Sequence, residues 1–145
     1  MNVLIQMVSS FISALCFGVI VNVPRRVLVH CGLTGLLGWM MNWVLLQFGV
    51  NILVSVFFGA AVVSICSIVY AKKLKIPTTT FTIPGVFPMV PGIAAYQSMN
   101  ALMVSDFMLG MSLLMKTFTI SITIALAIVM IESLYKTYVR LRAQF

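Results

Sequence analysis

The chain has 145 residues, of which 62% are hydrophobic and 8% charged, and its mean hydropathy is +1.16. That charge content is about a third of the roughly 25% usual in soluble domains, so the composition excludes a soluble globular protein and indicates an integral membrane protein. The net charge of +7 is not in itself a nucleic-acid signature, because the placement of the basic residues explains it below.

Apolar runs of about 17–25 residues mark membrane spans. The first is Val3–Val21. Ser10, Ala14 and Gly18 recur on it every fourth residue, a row of small side chains that lets helix backbones approach closely. Its start lacks the basic region and cleavage site of a signal peptide, so no segment is expected to be removed. A tight turn follows, with Asn22 and Pro24 ahead of Arg25 and Arg26.

The second span, Val27–Gln47, has Gly32, Gly35 and Gly38 along one sector but also contains His30 and Asn42. Those two polar residues keep a four-span alternative open. The connection around Gly49–Asn51 is uncharged, and the third span, Ile52–Tyr70, repeats the small-residue theme at Ala60 and Ser64. Cys16, Cys31 and Cys66 lie in apolar runs without metal-ligand or redox spacing. They read as small buried hydrophobes, with no disulfide and no metal site.

Beyond Lys72, Lys73 and Lys75, the threonines Thr78, Thr79, Thr80 and Thr82 lead into Phe81–Met99, an apolar stretch with three prolines and two glycines. Pro84, Pro88 and Pro91 lack an N–H and would leave the carbonyls of Thr80, Pro84 and Phe87 without helical donors. An orphan carbonyl in hydrocarbon costs several kcal/mol, so such backbone survives only inside protein or beside a water-filled cavity. Discontinuous helices of this kind build the solute sites of many secondary transporters. The plainer alternative is a kinked helix that only packs. This fourth span is therefore expected to be proline-broken.

Ala101–Met115 is apolar but interrupted by Asp106, and reads as an interfacial helix or an extension of the fifth span, Phe118–Leu134. Eight of the nine basic residues then fall on one face: Arg25 and Arg26, the three lysines at 72–75, and Lys136, Arg140 and Arg142. The positive-inside rule assigns that face to the cytoplasm. The expected protein is an all-α polytopic bundle of about five transmembrane helices, one domain over residues 1–145, with its N-terminus outside. The basic residues are topological anchors aided by anionic membrane lipid, and a nucleic-acid partner is not expected.

No Ser/His/Asp or Cys/His constellation and no phosphate-binding loop is present, so neither enzymatic activity nor a cofactor is expected. Thr80 and Thr82 can repair freed carbonyls or meet a polar solute. Tyr96, four residues past Gly92, is either an interfacial anchor or a pathway residue. Intramembrane titratable groups are functional hypotheses by default, and Asp106, Glu132 and His30 are the candidates for proton coupling.

The stretches NVPRRVL at 22–28 and IPTTTFTIPGVFPMVPGIAAYQSM at 76–99 resemble the threonine/serine exporter (ThrE) superfamily, in its short second-half type. The resemblance covers most of the chain and is most specific in the Pro-Gly-x-x-Pro-x-x-Pro-Gly core. It carries over Pro84, Gly85, Pro88, Pro91, Gly92 and Tyr96, with Asn22, Pro24 and Arg25 from the first loop.

The resemblance implies one subunit of a two-component exporter of the cell inner membrane, paired with a first-half membrane subunit. A higher oligomer is left open. The solutes would be threonine/serine-type amino acids or dicarboxylates such as succinate, and the expected driving force is the proton gradient. The competing class is a non-transporting scaffold or a holin-like pore subunit.

Overall fold

A computed structural model describes residues 2–104 and 107–143. The elements in chain order are α1 (Val3–Ile20), a 3-10 turn (Arg25–Val27), α2 (Leu28–Gln47), α3 (Ile52–Leu74), α4 (Thr79–Val86), a second 3-10 turn (Phe87–Met89), α5 (Gly92–Met103) and α6 (Phe107–Ala143). The described residues contain no strand, so the chain is an all-α bundle. Four of its helices are long and apolar enough to cross a membrane, namely those over Val3–Ile20, Arg25–Gln47, Ile52–Leu74 and Phe107–Leu141.

Local chemistry sets the turns. Three helices end on a residue in the left-handed region just past the last turn: Asn22 (φ 58°), Gly49 (φ 76°) and Lys75 (φ 54°). In each case the next residue's N–H donates back to a carbonyl five residues earlier: Val23 to Gly18, Val50 to Leu45 and Ile76 to Ala71. This is the six-to-one closure that takes up orphan helix-end carbonyls. Asparagine and glycine suit that backbone, whereas lysine there is uncommon. The Asn51 side chain then caps α3 by accepting from the Leu53 N–H at 3.0 Å.

The small-residue rows predicted from sequence sit at helix contacts. Ser10, Ala14 and Gly18 are buried on α1, Gly32, Gly35 and Gly38 on α2, and Ala60 and Ser64 on α3. Cys16 departs from expectation: it is exposed, while Cys31 is buried and Cys66 half-buried. Two residues from Ala14 on a helix means a turn of about 200°, which points Cys16 away from the face that Ala14 buries.

The principal core joins α3 to α6 through matching stripes, Val56, Ala60 and Val63 against Ile120, Ile124 and Ala127, with Met89 from the second 3-10 turn among them. Further along the same pair, the Lys72 ammonium lies 4.7 Å from the centre of the Tyr135 ring. Both contacts put α3 and α6 in parallel, offset by about 63 residues. A second core of Val23, Val27, Cys31, Ala71 and Phe81 ties the first turn and α2 to α3 and α4.

The stretch 101–115 does not form an element of its own. Residues 101–103 end α5, and 107–115 are the first turns of α6, so the extension alternative holds for that part. At 37 residues, α6 is about 55 Å long against a hydrocarbon thickness of about 30 Å. Its first nine residues run past the start of α3 and pair with α5, where Gly110 meets Leu102.

Candidate functional site

The proline-rich stretch is divided into α4, a 3-10 turn and α5, none long enough to cross a membrane alone. The chain becomes extended at Val90 (φ -62°, ψ 129°), and Pro91 (φ -76°, ψ 54°) leads into α5. Each carbonyl expected to lack a donor has one. The Cys31 thiol on α2 donates to the Thr80 carbonyl at 3.4 Å. The Phe87 N–H donates to the Pro84 carbonyl, and the Val90 N–H donates to the Phe87 carbonyl at 3.2 Å. The expectation that these carbonyls stand free for a solute is thereby corrected. Cross-helix and 3-10 bonding take up what proline removes, as hydrocarbon requires.

What the broken segment does line is two open-sided cavities in the groove it forms with α1. The inner one, about 230 Å³, is walled in part by Asn22, Pro24, Thr79, Thr80 and Pro84. The outer one, about 180 Å³, is walled by Gln6, Ser9, Ser10, Ser13, Trp39 and Pro88. At about 30 Å³ per liquid water, each has room for roughly six to eight waters. Among the described residues neither wall carries a charged side chain. A wider concavity of about 610 Å³, along Leu4, Ile5, Val8, Ser9, Ile12 and Ser13, adjoins the outer cavity through the two serines, is mainly apolar and suits lipid chains rather than a polar solute.

Between the two cavities α1 and the broken segment touch. Phe17 and Phe87 stack with ring centroids 4.0 Å apart and planes 13° from parallel, and Gly18 brings α1 close to Pro84. A cross-helix bond ties the outer wall together, the Trp39 Nε1–H donating to Gln6 Oε1 at 2.8 Å. The Ser9 and Ser10 hydroxyls donate back to their own helix, to Ile5 O at 2.7 Å and Met7 O at 3.1 Å. Each hydroxyl oxygen keeps lone pairs able to accept a further bond.

The structure thus brings Asn22, Thr80 and Pro84 into one cavity and Pro88 into the other. Thr82 is buried and donates to the Thr78 carbonyl at 3.0 Å, a backbone role. Gly85 is a packing position: a Cβ there would lie 2.8 Å from Thr34 Cγ2 and 3.0 Å from Val63 Cγ1. Pro91 caps α5, and Gly92 is exposed with nothing near its missing Cβ. Arg25 is exposed in the first 3-10 turn. Tyr96 is 73% exposed on α5, which packs on α6 and lines neither cavity.

The two described proton-coupling candidates lie on different helices, His30 on α2 and Glu132 on α6. His30 on α2 meets the Tyr70 ring edge-on at 5.0 Å with its Nδ1 buried and unpaired. Glu132 is half-buried far along α6, and Asp106 lies outside the described residues. Two further buried polar atoms lack partners, Asn42 Oδ1 and Ser64 Oγ. Asn42 lies on the α2–α3 contact beside Gly59, which also meets Met89. Sequence reasoning named Pro88 of the outer wall as a pathway residue and Ser10 only as a packing residue, and passed over Gln6, Ser9, Ser13 and Trp39. Gln6, Ser9, Ser10 and Ser13 recur at helical spacing within an apolar run, and that polar stripe was the available signal.

A multi-pass helical bundle with uncharged polar cavities along a broken segment has the build of a membrane transporter. Residues 6–134 match the family described as Threonine/Serine exporter, ThrE, and the chain belongs to that family, in its second-half type. It is a family of membrane exporters, generally not enzymes. No solved structure matches the chain.

Proposed function

We infer that this chain is one subunit of a two-component secondary exporter that carries small polar metabolites out of the cytoplasm. The observation that carries the reading is the inner cavity, where Asn22 of the first loop and Thr80 and Pro84 of the broken segment meet in one polar pocket. Residues 1–145 act as a single transmembrane domain, and α4, the 3-10 turn and α5 together make its fourth crossing in chain order, bringing the total to five. The basic face at Arg25, Arg26, Lys72, Lys73, Lys75, Lys136 and Arg140 is cytoplasmic, so solute enters beside Asn22. Arg25, exposed next to that mouth, attracts carboxylate groups toward it.

Uncharged walls favour a solute with no net charge, such as serine or threonine, over a dicarboxylate, whose two charges would need paired cations away from water. The groove is open along one side, which supports a first-half partner subunit that closes it. Rocking of the two halves then exposes the solute to the other face. Export is proton-coupled, with His30, Glu132 and Asp106 as the candidate titratable groups. The test is serine efflux from preloaded cells that express this chain with a first-half membrane protein of the same family. Saturable efflux requiring both chains is expected. Full-rate serine efflux from liposomes holding this chain alone would end the two-subunit reading, and no efflux from the pair would end the exporter reading.

A further inference from the structure

Resting on that exporter reading, we propose that the cavity walled by Gln6, Ser9, Ser10, Ser13, Trp39 and Pro88 is a second solute subsite, separated from the inner one by the Phe17–Phe87 stack. The two cavities share the same pair of walls. α1 runs antiparallel to the broken segment, with Asn22 level with Thr79 and Thr80, Gly18 with Pro84, Phe17 with Phe87, and the serine stripe with Pro88. Ser13 and Val21, which bound the gap, are about 12 Å apart along α1. The only described groups stacked across the groove in that gap are the two phenyl rings.

The outer wall suits a hydroxylated, net-neutral solute. Gln6 is buried and fixed by Trp39, so its amide holds one orientation. The bonded serine hydroxyls have spent their protons on backbone carbonyls and present acceptors to an ammonium or hydroxyl group. The Trp39 ring gives that group an aromatic neighbour. Two apolar rings in contact keep water from bridging the cavities, as hydrophobic constrictions do in channels. Solute moves from one subsite to the other when the rings part, and Gly18 leaves α1 free of a side chain where it passes Leu28 and Pro84.

The test is side-specific thiol labelling in right-side-out membrane vesicles that hold the two-subunit complex, with Cys16 and Cys66 replaced by serine. A membrane-impermeant methanethiosulfonate is applied outside, to Ser13→Cys and, separately, to Thr80→Cys. Ser13→Cys is expected to react, and saturating serine to slow it. Thr80→Cys is expected to react at least about tenfold more slowly. Phe87→Ala, and independently Phe17→Ala, should remove most of that difference, while Phe87→Leu should keep it.

An unreactive Ser13→Cys overturns the proposal, as does a Thr80→Cys rate unmoved by either alanine. Serine that fails to protect Ser13→Cys in a complex that effluxes serine overturns the subsite. The expected labelling pattern in a complex that effluxes no serine supports the cavity and its barrier, and counts against the exporter reading alone.

Discussion

The two glycines of the proline motif look alike in sequence and differ in the structure, and alanine at each separates them. In Gly85→Ala the new Cβ would lie 2.8 Å from Thr34 Cγ2 and 3.0 Å from Val63 Cγ1. Thr34 and Val63 are both fully buried, and both are β-branched and stiff about χ1. Neither can swing aside, so α4 must lift from α2 and α3. Overpacking of that kind costs about 1–3 kcal/mol. In Gly92→Ala the Cβ meets nothing at the start of α5, and the change is neutral to about 1 kcal/mol stabilising. At about 2–4 °C per kcal/mol for a chain of this size, Gly85→Ala should melt several degrees below the parent in detergent and Gly92→Ala at or above it. Thr34→Ser deletes the nearest methyl and should recover part of the Gly85→Ala loss. Equal melting temperatures for the two glycine variants, or no recovery from Thr34→Ser, would refute the close approach of α4 to α2.

The thiol bond to Thr80 gives a second test. Cys31→Ala leaves a half-buried carbonyl without its donor and should destabilise by about 1 kcal/mol, and Pro84→Ala, which restores an N–H to that carbonyl, should rescue it in a double-mutant cycle of melting temperatures. Replacing Pro88 and Pro91 together by alanine straightens the segment: serine efflux should fall to background with the partner still co-purifying, whereas a scaffold would keep or gain stability and lose no activity. Reporter fusions after Val50 and after Ile76 should report opposite faces, outside and cytoplasmic, and a matching pair would reverse the topology drawn from the lysines and arginines.

The spans were readable because bilayer thickness imposes a length that composition reveals, and the buried small residues were readable because close helix contact leaves no room for larger ones. Thr80 was identified as a carbonyl that proline frees, yet its donor, Cys31, lies 49 residues away on another helix. No local rule predicts that pairing. Ser10 was assigned to helix packing and is indeed buried, but the same residue borders the outer cavity, so one explanation hid the other. α6 was divided near Lys116 because a hydrophobic run ends there. The helix continues through it, since lysine is a good helix former and a helix need not stop where the bilayer does. Phe17 and Phe87 carried no signal at all, being two phenylalanines among ten until the fold stacks them.

Because α6 is a single rod, its two ends cannot move independently. A tilt of about 10° at Ala127, where it beds against α3, would sweep Met108 through about 5 Å. α5 is clasped to that far end and joins directly to Pro91, so the same sweep would tug the backbone just beyond Met89. The α5–α6 hairpin is therefore a crank handle on the broken segment, and whatever grips Met103 and Met108 holds leverage over a groove it never touches.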